Sequence, residues 1–282
     1  MKDLPRRLLS ALLFLLIMLG GIFGGAQSFL LLLALIGLLC LREFVQLSFL
    51  QGDAIGPAAR GLVVLLALWP YFAIFVWYFQ ESPEGDLPSS SWLLTRLAVF
   101  WGGLLLLLIL GTLKYPSRPM QLFSTTLSGS VYIALPLIFL VVLLLQKGQQ
   151  QYNPLFALSL LLLSWANDTG AYLSGSRWGR HKLLPAVSPG KSWEGVFGGL
   201  ILTLLLGFLL NHLVPIQGNW LIPALLASLF GPLGDLLESA LKRRAGVKDS
   251  GRILPGHGGA LDRFDAFLFH LPFTAGYLLF CM

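Results

Sequence analysis

Residues 239–265 read SALKRRAGVKDSGRILPGHGGALDRFD, the longest polar stretch in a chain that is otherwise mostly apolar. The stretch holds six of the nineteen Lys and Arg residues, three of the thirteen acids and one of the four His residues. Apolar runs flank it at 220–237 and 264–280. Cations placed beside carboxylates are typical of a site for a metal–polyphosphate complex, in which acids hold Mg²⁺ and bases hold phosphate oxygens.

The composition of the whole chain predicts an integral membrane protein. Of 282 residues, 56% are hydrophobic and 11% are charged, and the mean hydropathy is +0.78, against roughly 25% charged residues in a soluble domain. A soluble fold of this length could not bury so much apolar surface. Cys40 and Cys281 lie far apart in apolar runs, so they suggest neither a disulfide nor a metal site.

Nine apolar segments approach the length of about 20 residues that a helix needs to cross a bilayer. These segments are 8–24, 27–47, 61–79, 91–113, 122–145, 154–174, 193–213, 219–241 and 264–281. The first resembles a signal peptide, but because apolar spans continue along the chain we predict a retained helix. The predicted fold class is therefore an all-α polytopic membrane bundle.

The distribution of Lys and Arg predicts the orientation of this bundle. With the N-terminus in the cytoplasm, seventeen of the nineteen Lys and Arg residues fall on the cytoplasmic side. The net charge of +6 therefore indicates anionic lipid and nucleotide rather than nucleic acid as partners. Polarity also divides the chain into a scaffold half, 1–150, to which we assign no chemistry, and a catalytic half, 151–282.

A second polar block, 164–199, reads SWANDTGAYLSGSRWGRHKLLPAVSPGKSWEGVFGG. Asp168 interrupts an apolar run, which costs roughly 2.5–3.5 kcal/mol on insertion scales, so a partner or a function is expected. Tyr172 lies on the same helical face.

The segment 188–192 predicts a turn, with Ser192 as the N-cap of the next helix and Glu194 in its first turn. Backbone N–H groups at such a helix start suit an anion. The alternative is an ordinary turn in which Lys191 only marks topology.

Acidic residues on two consecutive segments predict a metal site. Four polar residues fall on one helical face at i, i+3, i+4 and i+7, namely Asp235, Glu238, Ser239 and Lys242. Asp262 and Asp265 open the next helix. Two such helices can build the octahedral oxygen site that Mg²⁺ prefers, and we expect Asp235, Asp262 and Asp265 as ligands. The alternative is that Asp235 or Glu238 is neutralised by Arg244 or by another helix.

The polar stretch closely resembles the signature of phosphatidate cytidylyltransferases (CDP-diacylglycerol synthases). The pattern is S-x-x-K-R, four residues, K-D, then P-x-H-G-G-x-x-D-R-x-D; Ala260 departs from it by being smaller than usual. Twelve positions match, at Ser239, Lys242, Arg243, Lys248, Asp249, Pro255, His257, Gly258, Gly259, Asp262, Arg263 and Asp265. The patterns D-x-x-A-Y, S-P-x-K-S and E-G-x-x-G-G in the second block also resemble this family.

The resemblance implies transfer of a cytidylyl group from CTP to phosphatidate, with phosphatidate entering from the inner leaflet and the active site facing the cytoplasm. It implies Mg²⁺ and a second, monovalent cation such as K⁺. A homodimer is left open. The implied catalytic residues are Ser239, Lys242, Arg243, Lys248, Asp249, His257 and Arg263. The implied substrate-binding residues are Asp168, Tyr172, Ser188, Lys191, Ser192 and Glu194.

Three alternative functions remain at this stage. A CTP-dependent lipid-alcohol kinase would transfer the γ-phosphate instead. A synthase acting on archaeal-type ether lipid would share the polar residues and differ only in apolar contacts. A lipid or phosphate transporter would be expected to show inverted repeats, which we do not find in the first five segments.

Overall fold

The computed structural model describes residues 4–49, 55–80, 90–115, 120–144, 152–253 and 258–281. Its helices are α1 (Leu4–Phe23), α2 (Ala26–Ser48), α3 (Pro57–Gln80), α4 (Ser90–Lys114), α5 (Gln121–Gly129), α6 (Leu135–Leu144), α7 (Pro154–Trp178), α8 (Trp193–Leu213), α9 (Leu221–Arg244) and α10 (Leu261–Cys281). A π-helical turn, Ser130–Ala134, joins α5 to α6. A hairpin of β1 (Lys182–Leu184) and β2 (Ser188–Ser192) lies between α7 and α8.

Seven helices within the described ranges are long and apolar enough to cross a membrane, which makes this a polytopic membrane protein. They are α2, α3, α4, the continuous helix from α5 to α6, α8, α9 and α10. Helix α1 has a shorter apolar part, Leu9–Phe23. In helix α7, the Asn, Asp, Ser and Gly residues lower the hydropathy. Each of the nine predicted segments lies on a helix, but nine spans and a cytoplasmic N-terminus stay predictions.

The turn expected at Ser188–Ser192 is wrong, because this segment forms strand β2, antiparallel to β1. The chain reverses instead at 185–187, where the backbone N–H of Val187 donates to the carbonyl of Leu184 at 3.1 Å. Pro189 is tolerated because both strands of a two-stranded hairpin are edge strands, where a missing N–H costs little.

The π-helical turn follows from Pro136, whose nitrogen has no hydrogen to donate to the carbonyl of Tyr132 four residues earlier. Ser130 in the turn donates its hydroxyl to the carbonyl of Ala67 in α3 at 3.1 Å. Tyr132 lies beside Phe44 of α2, with ring centroids 6.0 Å apart. The turn therefore brings a tyrosine of the N-terminal half against α2.

Glycines let the C-terminal helices approach one another closely. A Cβ at Gly170 of α7 would lie 2.5 Å from the carbonyl oxygen of Gly198 in α8. A Cβ at Gly234 of α9 would lie 2.6 Å from the carbonyl oxygen of Asp265 in α10. Small residues are what allow membrane helices to pack backbone against backbone. The contact at Gly234 brings the acidic face of α9 against the beginning of α10.

Candidate active site

Three carboxylates from α9 and α10 form an acid cluster beside Gly234. Asp235, Glu238 and Asp265 each offer one oxygen atom, and these oxygens lie within 4.8 Å of one another. Glu238 is 0% exposed and Asp265 is 7% exposed. The Oε1 atom of Glu238 has no hydrogen-bond partner in the part of the chain that the structure describes. Carboxylates this close together repel one another, and a bound cation would relieve that repulsion. The three converging oxygens and the unpartnered Oε1 are the kind of donors that a hard cation needs.

Lys242 connects the acid cluster to the loop that precedes α10. Its Nζ lies 2.5 Å from Oε2 of Glu238 and 2.6 Å from Oδ1 of Asp262. The other oxygen of Asp262 accepts the backbone N–H groups of Ser250 at 3.0 Å and Gly259 at 2.7 Å. Lys242, one of the implied catalytic residues, is thus paired with two carboxylates.

The metal ligands chosen from the sequence are only partly grouped by the structure. Asp235 and Asp265 lie in the acid cluster, as expected. Asp262 lies outside the cluster, and Glu238 takes its place there. Glu238 was recognised in the sequence as part of an acidic helix face but was not chosen as a ligand. A role for Asp262 as ligand stays a prediction.

The two polar blocks of the sequence meet at Asp235. Its Oδ2 lies 2.6 Å from Nζ of Lys191 in strand β2. Its Oδ1 accepts the hydroxyl of Ser239 at 3.3 Å. Lys191 Nζ also lies 3.4 Å from the carbonyl oxygen of Pro232. A residue of β2 is thereby fixed against α9, more than forty positions further along the chain.

Asp168 lies within electrostatic range of Asp235, Lys191 and Arg263, whose charges all act on it. The side chains of Asp168 and Arg263 are exposed. Tyr172 is 73% exposed. The structure thus places Asp168 within range of the charges at Asp235 and leaves Tyr172 at a surface.

Ser192 and Glu194 stabilise the start of α8. The hydroxyl of Ser192 accepts the backbone N–H of Gly195 at 3.2 Å, which confirms the predicted N-cap. Glu194 Oε1 lies 2.6 Å from Nδ1 of His181, and both of its carboxylate oxygens accept the His181 backbone N–H at 3.2 Å. Ser188 is half-buried in β2. These contacts hold the hairpin, and with it Lys191, against the helix.

The remaining predicted cations lie at the surface. Arg243 is exposed and donates to the carbonyls of Val187 at 3.4 Å and Val247 at 3.3 Å. Lys248 and Asp249 line an open cleft of about 680 Å³, whose charged residues also include Arg42, Glu43 and Arg252. His257, with Pro255 and Gly256, lies outside the described residues.

Glu43 of α2 is the residue that the sequence-based assignment of chemistry missed. It is 2% exposed. Its carboxylate accepts the Ser250 hydroxyl at 2.8 Å and the backbone N–H groups of Ala260 at 3.1 Å and Leu261 at 2.8 Å. A lone carboxylate in the apolar run 27–47 was the available signal, because such a group is costly in a membrane helix. The N-terminal half, 1–150, to which we assigned no chemistry, thus contacts the polar stretch 239–265 directly.

This membrane-embedded helical protein places buried carboxylates, the lysines paired with them and surface cations at one end of its helices. Such an arrangement is suited to phosphate chemistry at a bilayer. The chain belongs to the cytidylyltransferase family, whose sequence profile matches residues 5–281.

Individual relatives are similar over different lengths. The phosphatidate cytidylyltransferase of Bacillus subtilis is 33% identical over 276 residues, which cover 97% of each chain. The phosphatidate cytidylyltransferase of Staphylococcus epidermidis is 51% identical over 120 residues, or 42% of this chain and 46% of that protein. The Staphylococcus aureus protein of the same name is 52% identical over the same shares. The staphylococcal matches thus span less than half of those relatives, and the B. subtilis match spans nearly all of its relative.

Proposed function

We propose that the protein transfers the cytidylyl group of CTP to phosphatidate, giving CDP-diacylglycerol and diphosphate, as a step of phospholipid biosynthesis. The observation that carries this proposal is the ion pair of Lys191 with Asp235 at 2.6 Å, because Asp235 also accepts the hydroxyl of Ser239 and so joins both polar blocks of the sequence in one site. The similarity to the B. subtilis phosphatidate cytidylyltransferase along nearly the whole chain supports the same reaction.

The reaction brings two anions together. An oxygen of the phosphatidate phosphate attacks the α-phosphorus of CTP, the bond from that phosphorus to the oxygen shared with the β-phosphorus breaks, and diphosphate leaves with the electron pair. Charge neutralisation and positioning are the main tasks in such transfers. Lys191, Arg243, Lys248 and Arg263 supply positive charge for phosphate oxygens. No general base is required, because the lipid phosphate is ionised at neutral pH.

The acid cluster would hold Mg²⁺ through Asp235, Glu238 and Asp265. This assignment follows from the three convergent oxygens and from the unpartnered Oε1 of Glu238. When bound, Mg²⁺ supplies positive charge that polarises phosphate oxygens. Lys242 pairs with both Glu238 and Asp262 and supplies positive charge to the two carboxylates. A second, monovalent cation such as K⁺ is part of the proposal, with no residue assigned to it.

The measurement that tests the proposed function is the fate of labelled phosphorus. Purified protein in detergent is incubated with phosphatidate, Mg²⁺ and CTP labelled at either the α- or the γ-phosphorus. We expect the α-label in the lipid fraction and the γ-label in diphosphate, with both products abolished by a chelator. A γ-label in the lipid would identify a lipid kinase instead. A lipid fraction that contains neither label would contradict any CTP-dependent lipid transfer.

We further propose nine spans, with the N-terminus and the site in the cytoplasm and with phosphatidate taken from the inner leaflet. In a variant with Cys40 and Cys281 replaced by Ala, single cysteines at Gln149 and Ile253 are expected to react with a membrane-impermeant thiol reagent from opposite faces. Ile253 is 42% exposed, so its replacement is accessible to the reagent. Labelling of both from the same face would contradict the nine-span topology.

A further inference from the structure

A second cavity lies beside the acid cluster, between α2, α5 and α9. It is an open groove of about 870 Å³, within the range of small-molecule sites. Apolar side chains line one part of it, chiefly Phe44, Leu237 and Leu241, and polar side chains line another, chiefly Ser128, Tyr132 and Arg244. Because all three helices belong to segments apolar enough to cross a membrane, the groove lies between membrane-spanning elements.

Two hydrogen-bond donors in this groove have no partner among the described residues. The hydroxyl of Tyr132 is buried and makes no hydrogen bond there. Arg244, at the end of α9, is exposed and belongs to none of the ion pairs found in the described ranges. Buried donors are normally satisfied, so an unsatisfied tyrosine hydroxyl indicates a ligand or water that brings an acceptor oxygen. Together the two donors favour an anionic ligand rich in oxygen.

The groove and the acid cluster share helix α9. Leu237, which lines the groove, directly precedes Glu238 of the cluster, so the same helix contributes to both. A ligand in the groove therefore lies next to the proposed reaction centre.

We propose that this groove binds phosphatidate, with Arg244 and Tyr132 donating to its phosphate and ester oxygens and its acyl chains lying along Phe44, Leu237 and Leu241. The inference rests on the proposed function and names the lipid-binding part of that same site. Three properties of the groove match this lipid: an amphipathic lining, a cationic end and a position between membrane helices. A hydrophilic nucleotide would gain little from the apolar part of the lining.

Steady-state kinetics of purified variants test the assignment. Arg244→Gln is expected to raise KM for phosphatidate about tenfold or more, since it removes hydrogen bonds to a charged group, and to leave KM for CTP within about twofold. Tyr132→Phe, which removes one hydroxyl, is expected to change the same constant in the same direction. Arg177→Gln is the matched control, because Arg177 is an exposed arginine in the last turn of α7, far in sequence from the groove.

A binding measurement makes the test independent of turnover. A phosphatidate analogue with a photoreactive group near its glycerol is expected to label peptides of α5 or α9. Ser128→Trp, which fills the groove from an exposed position, should reduce this labelling. Excess phosphatidate should compete, and the same concentration of inorganic phosphate should not. Equal competition by inorganic phosphate would overturn the assignment in favour of a simple anion site.

The kinetic outcomes separate the two proposals. If wild-type protein transfers the α-label to lipid while Arg244→Gln and Ser128→Trp keep wild-type KM values for phosphatidate, the groove assignment is overturned and the proposed function stands. If wild-type protein transfers no α-label to lipid, the proposed function itself fails. Each variant is compared after gel filtration has shown a single folded species, and Tyr132→Phe serves where a bulkier change does not fold.

Discussion

Replacing Asp235 with Asn is expected to abolish cytidylyl transfer while leaving the protein folded and inserted. Asp235 is both a member of the acid cluster and the partner of Lys191 at 2.6 Å. The substitution therefore removes a cation ligand and leaves a lysine without its counter-charge. We expect less than about a hundredth of wild-type activity even at high Mg²⁺, because losses at residues behind the ligands are typically 10–100-fold and a ligand should exceed them. Activity is measured by the α-label assay.

The same experiment on Asp262 tests which set of metal ligands is correct. The sequence predicts Asp262 as a ligand, whereas the structure places Glu238 in the acid cluster instead. Asp262→Asn is also expected to lose activity, because Lys242 then keeps only Glu238 as a partner. Binding of Mn²⁺ as a Mg²⁺ substitute, followed by electron paramagnetic resonance, should nevertheless weaken far more in Asp235→Asn than in Asp262→Asn. Equal loss of Mn²⁺ binding in the two variants would make Asp262 a ligand, as the sequence alone predicted.

The second large effect is expected for Glu43→Gln. The carboxylate of Glu43 accepts three hydrogen bonds at 2.8–3.1 Å and is 2% exposed. A glutamine places an NH₂ group where one of these acceptors was, so at least one buried donor loses its partner, at about 1–3 kcal/mol. The negative charge at the beginning of α10 is lost as well. Since Ser250 also donates to Asp262 at 3.0 Å, the disturbance reaches Lys242.

We therefore expect Glu43→Gln to lower the melting temperature of the detergent-solubilised protein and to lower kcat about tenfold or more. Thr126→Val is the matched control: Thr126 is also buried in the N-terminal half, but its hydroxyl donates only within its own helix, to Leu122 at 2.9 Å. A Glu43→Gln variant with wild-type kcat would show that this contact between the two halves of the chain is dispensable for catalysis.

The helical elements could be predicted well because their signals are local. Each apolar run of about 20 residues coincides with a helix, and the cap at Ser192 followed from its position before Glu194. The hairpin of β1 and β2 escaped prediction because Ser188-Pro189-Gly190 is typical of a turn, whereas the actual reversal lies three residues earlier. The strand pairing depends on a partner segment, which local propensity does not reveal.

The candidate site was predicted in composition but only partly in arrangement. The residues of the two polar blocks were all identifiable from spacing and from the resemblance to the family. Helical periodicity placed Asp235 and Glu238 on one face of α9, yet it could not tell which acid of α10 would reach them. The close packing at Gly234 brings Asp265 to the cluster and leaves Asp262 with Lys242.

The sequence by itself determined that this protein is helical and membrane-embedded, and that its polar residues are concentrated in two blocks, because apolar composition and residue spacing are properties of single segments. Only the tertiary structure decided that Lys191 pairs with Asp235, that Glu238 joins the acid cluster, and that Glu43 holds the beginning of α10. The pair of Lys191 and Asp235 joins residues 44 positions apart, and the hydrogen bond from Leu261 to Glu43 joins residues 218 positions apart. They depend on how closely the helices pack, and a local pattern contains no information about that distance.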